Sequence, residues 1–281
     1  LLPGDKYTFE TKLVCKYRGE YEVGVKEIVI TDFLRLFQIS YRVPETIKAL
    51  VLPRVVRVDE LQCIADIQTL LQRETYRAQT QADVVVRDYV PGDALKQIHW
   101  KATARAQALK VRNRTGEEQA GIAILCDTKR YSGDNREYLP LENKMLEVLL
   151  ALTVYFAQRN MACEICYGQR GMVRSHVQDL QDFDAFYRQA ARIDFAKEES
   201  VEETGRQALT SGVGRDCRIL FFVLHMWSDM VWKMAEQIAA GGGIAVLCLV
   251  TDGNMDEYLK LGSERKRIVV VPVEAELEGK L

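Results

Sequence analysis

The stretch Cys217–Val250, CRILFFVLHMWSDMVWKMAEQIAAGGGIAVLCLV, decides the fold. It opens with an apolar run that ends at Leu224. Ser228 then precedes an amphipathic stretch with helical spacing, and Gly241–Gly243 stop it before a second apolar run, Ile244–Val250. Neither apolar run alternates with polar residues. A strand of that kind is covered on both faces, and a helix joining two such strands makes them parallel.

The same rhythm extends outward in both directions. Upstream come AGIAILCD (120–127), the long amphipathic LENKMLEVLLALTVYFAQRN (141–160), then MACEICYG (161–168) and GMVRSHV (171–177), two strands joined by a tight turn. FDAFYRQAARI (183–193) and VEETGRQALTSG (201–212) read as helices, with Ser200 capping the second in a solvated start. Downstream, MDEYLKLGSE (255–264) reads as a helix and KRIVVVPVE (266–274) as a last strand. Residues 119–281 are therefore predicted to form an α/β domain, a doubly wound, mostly parallel, Rossmann-like sheet. Residues 1–57 have a different texture: KYTFETKLVCKY (6–17), GEYEVGVKEIVIT (19–31) and ALVLPRVVRV (49–58) read as short strands of a partial β-sandwich. Residues 58–118 connect the two domains and include the short helical pattern ELQCIADIQTLLQRETY (60–76).

The chain has 281 residues, 48% hydrophobic and 28% charged, with a formal charge of −2. That balance fills a core and argues against nucleic acid as a partner. The seven cysteines are scattered, and Cys126, Cys163, Cys166 and Cys248 lie in apolar runs, as buried free thiols of a reducing compartment would. Cys163 and Cys166 resemble a redox pair, but residues three apart on a strand point to opposite faces. No apolar run is long enough to span a bilayer. The chain opens LLPGDKYTFE, without methionine, so we expect a piece of a longer protein, with membrane contact only through segments outside this sequence.

In an open α/β sheet, ligands bind beyond the carboxyl ends of the strands. Those ends fall at Cys126-Asp127-Thr128-Lys129, Leu224-His225 and Thr251-Asp252-Gly253. No phosphate-cradling glycine loop follows the first strand; AGGG (240–243) reads as a helix stop. The strand and helix order is that of von Willebrand factor A domains, many of which hold a divalent metal through Asp-x-Ser-x-Ser. Asp127 matches the aspartate, but Lys129 and Tyr131 stand at the serine positions, and a lysine ammonium repels a cation. The neighbouring strand ends in His225 rather than aspartate. Asp252 lies one strand further, roughly 10 Å from Asp127 at about 4.8 Å per strand. Asp127 is thus a weak metal candidate, and no cofactor is expected. His225 is either a packed histidine or a lining residue of this degenerate site. His176 reads as a surface residue of an edge strand.

A second candidate is YVPGDALKQIHWKATARAQAL (89–109). Leu95, Ile98, Ala102, Ala106 and Leu109 fall at helical spacing, so one face is expected to pack inward. Between Arg87 and Arg114 seven basic residues face two acidic ones. In a catalytic reading His99 is a general base oriented by Asp93, and Lys101 or Arg105 binds an anion. In a structural reading Asp93 caps the helix, and His99, Trp100 and Arg105 join a polar network that clasps the two domains. No serine, cysteine or second carboxylate is spaced to supply a nucleophile, which favours the clasp.

The same stretch, with Arg87, Tyr89, Gly92, Asp93, Ile98, His99, Trp100, Lys101, Ala104 and Arg105, resembles the signature of the bacterial domain-of-unknown-function family DUF58. Upstream, YRGEYEVGVKEIVITDFLRLF (17–37) is similar to that family's preceding segment, with DFLRLF departing from its usual Asp-Pro-Phe-Gly-Leu. The resemblance implies two N-terminal membrane helices, a β-sandwich, the signature and a von Willebrand factor A-like domain, in genes that neighbour MoxR-type AAA+ ATPases and transglutaminase-like membrane proteins. It implies the cytoplasm-facing part of a membrane-anchored bacterial protein. The expected function is a non-catalytic adaptor for a MoxR-type ATPase, with Asp127, Lys129, Tyr131, His225 and Asp252 on the partner-binding face. Two rival readings are a hydrolase or transferase acting on an anionic substrate at His99, and a metal-dependent ligand-binding domain.

Overall fold

In the computed structural model the described residues are 8, 10, 12, 14–43, 46–57, 86–88, 100–106, 108–112, 121–213, 217–274 and 277, with backbone alone for 86–88, 100–102 and 111–112. The α/β domain is built on a six-stranded sheet in the order β12-β11-β10-β7-β8-β9. Its strands are β7 (Gly121–Cys126), β8 (Cys163–Gly168), β9 (Met172–Val177), β10 (Cys217–Leu224), β11 (Ile244–Val250) and β12 (Lys266–Val271). Only β9 runs antiparallel, as the hairpin partner of β8. Its turn needs left-handed backbone at Arg170 (φ 55°) and at Gly171 (φ 120°).

Helices cover both faces, as continuous apolar strands require. On one face α2 (Asn135–Gln158) and α3 (Leu180–Ala190) pack over Ile124, Phe221 and Val246; on the other, α4 (Val201–Thr210) and α5 (Asp229–Ala240) pack over Leu125, Phe222 and Leu247. Adjacent residues of one strand thus feed opposite cores. Cys163 joins the first core and Cys166 the second, which separates the CEIC pair across the sheet; burial pushes the two thiols up to about 12 and about 11. Helix α2 begins at Asn135, ahead of the predicted start, because Asp134 accepts a bond from the Arg136 N–H and caps it upstream of Pro140. The short α6 (Asp256–Leu259) replaces the longer helix read from MDEYLKLGSE.

The strands of residues 1–57 form two-stranded antiparallel ribbons. β1 (Gly19–Val23) pairs with β4 (Ile47–Val51), and β2 (Glu27–Thr31) pairs with β3 (Gln38–Arg42). The Val43 N–H donates to the Lys26 carbonyl between the two ribbons. DFLRLF is the loop that closes β2 onto β3. A second sheet layer, which a sandwich needs, does not occur among the described residues. The base of the ribbons meets the α/β domain. Arg18 donates to the Ala191 carbonyl at 3.1 Å and lies over the Phe195 ring, Tyr187 donates to the Pro53 carbonyl at 2.8 Å, and Val56 enters the first core.

In the signature region β5 (Val86–Asp88) pairs with β6 (Lys110–Arg112), and α1 spans Trp100–Ala106. The predicted inward face of this helix requires correction at its end. Ala106 is exposed, and Leu109 lies beyond the helix and is also exposed. The Thr103 hydroxyl accepts from the Lys110 N–H at 3.0 Å, turning the chain from α1 into β6.

Candidate functional site at the carboxyl edge of the sheet

Asp127 follows β7 and is fully buried. Its Oδ1 accepts the Lys129 N–H at 2.9 Å and its Oδ2 accepts the Tyr131 hydroxyl at 2.6 Å. Burial raises the Asp127 carboxyl above the usual range, and those two bonds work against the rise. Burial likewise raises the Tyr131 hydroxyl, helped by the neighbouring Asp127 charge. The loop is held from its other side as well: Thr128 donates to the Gly168 carbonyl at 2.6 Å, and Arg130 N–H to the Ala196 carbonyl at 3.0 Å.

A second carboxylate was missed in reading the sequence. Glu202, in the first turn of α4, lies in the run taken there as solvated. Its Oε1 accepts the Ser228 hydroxyl at 2.8 Å and its Oε2 accepts the Ser200 hydroxyl at 2.8 Å. Burial works to raise this carboxyl, but the two hydroxyls outweigh it and hold the group below its ordinary range, aided by the charge of Lys129. Ser200 and Ser228 are also the N-caps of α4 and α5, which fixes both helix starts around the same carboxylate. The available signal was position: both serines sit in loops that open on the carboxyl edge.

His225 satisfies both readings offered for it. Its Nδ1 lies 3.1 Å from the Val250 carbonyl, so Nδ1 carries the proton, and its ring meets Tyr131 edge-on at 5.0 Å. It also lines a cleft of about 530 Å³ with Tyr131, Tyr138, Leu141 and Asp252. Asp252 lies two residues beyond the end of β11, which is two strands from β7 in the sheet, and accepts the Val273 N–H at 2.9 Å. The five sequence-predicted face residues divide accordingly. Tyr131, His225 and Asp252 line the cleft. Asp127 lies beneath it, and Lys129 holds its ammonium 5.5 Å from the Tyr131 ring.

Each oxygen of Asp127 and Glu202 already accepts a protein donor, and the charge of Lys129 acts on Glu202. Among the described residues no group of three His, Cys, Asp or Glu side chains is placed to hold a metal ion. His176, at the far edge, pairs with Glu164 at the exposed surface. Of the signature, Tyr89, Gly92, Asp93 and His99 lie outside the described residues, as do the side chains of Arg87, Trp100 and Lys101; Arg105 is exposed on α1. The clasp and the catalytic reading of His99 both fall on that undescribed part.

The order β9-β8-β7-β10-β11-β12, with β9 antiparallel at one edge, is that of a von Willebrand factor A-like α/β fold. Residues 85–162 match the model of a family described as Protein of unknown function DUF58. That segment resembles DUF58. The match runs from the signature through β7 and the Asp127 loop to the end of α2, so it joins the basic segment to the site. Solved structures similar to this chain include two von Willebrand factor A proteins. One, described as the SpRpn10 VWA domain, has 10% identity, covers 56% of this chain and 90% of its own, and has a TM-score of 0.38. The other, a von Willebrand factor type A protein from Catenulispora acidiphila, has 13% identity, covers 54% and 38%, and has a TM-score of 0.37. The fold assignment rests on the strand order. No curated protein matches the sequence.

Proposed function

We propose that the chain is a non-catalytic protein-interaction module that docks its partner at the carboxyl edge of the sheet. The observation that carries this reading is the closed Asp127 loop beside an open cleft. Both Asp127 oxygens are spent on Lys129 and Tyr131, while about 530 Å³ of adjoining space is lined by Tyr131, Tyr138, His225 and Asp252. Aromatic side chains around a concavity are the usual anchors of a protein contact. Met226 and Met230, both exposed in the segment that follows His225, add apolar surface; Trp227, which stacks on Tyr258 at 4.3 Å, stiffens it.

The partner we infer is a MoxR-type AAA+ ATPase, and the chain is the cytoplasm-facing part of a membrane-anchored bacterial protein. Both follow from the DUF58 resemblance, supported by Cys126, Cys163 and Cys166, which are buried and form no disulfide. The test is recovery of the cognate ATPase on immobilised chain, comparing wild type with Lys129→Glu and Asp252→Lys. Each variant is checked first for an unchanged melting temperature. Loss of recovery with both variants supports the face; equal recovery from all three proteins removes it.

A further inference from the structure

The ribbon β2/β3 is amphipathic. Its register pairs Ile28 with Tyr41 and Ile30 with Ile39, and these rungs share one face because residues two apart in a strand do. Phe37 continues that face beyond Ile39, beside Asp32, whose Oδ1 accepts the Phe37 N–H at 2.7 Å. The other face carries the rungs Glu27–Arg42, Val29–Ser40 and Thr31–Gln38. Every residue of both strands is exposed. On the apolar face the exposure runs from 44% at Ile28 to 72% at Phe37, and Phe33 in the closing loop is 100% exposed. A two-stranded ribbon with a bare apolar face is marginal in water and needs a second layer.

We propose that a second copy of this chain supplies that layer. In this pair two β2/β3 ribbons pack face to face into a four-stranded sandwich with two-fold symmetry. The area supports this occupant. Ile28, Ile30, Phe37, Ile39 and Tyr41 each leave roughly 100 Å² accessible, about 500 Å² per copy and about 1,000 Å² for the pair, the lower bound of a specific interface, and the exposed Phe33 and Leu34 of the closing loop adjoin it in the chain. An apolar patch of that size is at the upper end of what a monomer exposes, where such patches are often contact sites. The face is also self-complementary. Its one carboxylate, Asp32, sits at the loop end of the face and accepts the Phe37 N–H, and the charged rung Glu27–Arg42 lies on the opposite side, so the isoleucine and tyrosine rungs of two like faces meet without a charge between them. The branched isoleucines on the strands have the composition of a sheet-on-sheet contact. This surface is separate from the carboxyl edge, so the pairing stands or falls independently of the proposed partner docking.

The experiment is sedimentation velocity and light scattering of the full chain from 1 to 100 µM, with Ile30→Lys/Ile39→Lys as the test variant and Val29→Lys/Ser40→Lys as the opposite-face control. The substituted positions are exposed in the single chain. Circular dichroism of each variant verifies that the α/β domain is intact. The expected result is a dimer for wild type and for the control, with the dissociation constant raised at least about 100-fold by the apolar-face lysines. Flotation of the wild-type chain on anionic and neutral liposomes tests the competing occupant. A wild-type chain that is monomeric throughout, a monomer that floats with liposomes, or a dimer indifferent to the apolar-face lysines overturns the pairing.

Discussion

At the residue scale the site turns on Asp127. Its carboxyl is raised by burial, so the folded chain binds that proton more tightly than the unfolded chain does. Between the ordinary carboxyl value and the raised one, the folded state therefore carries more protons, and stability falls as pH rises through that window. In Asp127→Asn this dependence is absent. Paired urea melts of the two proteins across acid and neutral pH should diverge in that direction, and parallel curves would contradict it. Tyr131→Phe removes the hydroxyl that donates to Oδ2 and should cost about 1–3 kcal/mol, since a buried acceptor is left unpaired. The sequence located Asp127, Lys129, Tyr131 and His225 correctly at strand ends, because apolar runs stop there. It did not reveal that Tyr131 reaches back to Asp127, or that Glu202 is held by two serines from separate loops. Those contacts join residues up to 26 positions apart, and no local spacing encodes them.

At the element scale, α4 approaches the sheet closely because Gly205 has no side chain. A Cβ placed there would meet Met234 Sδ at 2.9 Å and Leu125 Cδ2 at 3.2 Å. Gly205→Leu should destabilise the domain by about 1–3 kcal/mol through overpacking, read as a lower urea midpoint at unchanged slope. The strands and most helices of residues 119–281 were legible because their apolar periodicities are long: Ser200 stands where its cap was expected, and Ser228 caps the helix read after it. Boundaries were less legible. Helix α2 was read from Leu141 but starts at Asn135, upstream of Pro140, because Asp134 caps it there. The ribbons of residues 19–51 show the opposite case. Their alternation correctly reads as strands, yet alternation says only that one face seeks cover and not what covers it.

At the scale of the whole molecule, the ribbons are held to the α/β domain by a few contacts. Arg18 reaches the Ala191 carbonyl, Tyr187 reaches the Pro53 carbonyl, and Val56 is buried in the first core. Arg18→Ala should loosen this junction without unfolding the sheet. Hydrogen exchange is expected to rise in β1 and β4 and to stay slow in β7 and β10; uniform exchange across both domains would show that they unfold together.

Strand β7 stands at the middle of the sheet but comes first in its sequence. It pairs with β8 on one side and with β10 on the other. β8 follows within about 40 residues, whereas β10 follows after about 90. A ribosome adding roughly 5–20 residues per second therefore leaves one edge of β7 bare for several seconds after its other edge is closed. During that interval the nascent chain displays an apolar, hydrogen-bond-hungry border, and the protein's yield in a cell depends on what shields it until Cys217–Leu224 emerges.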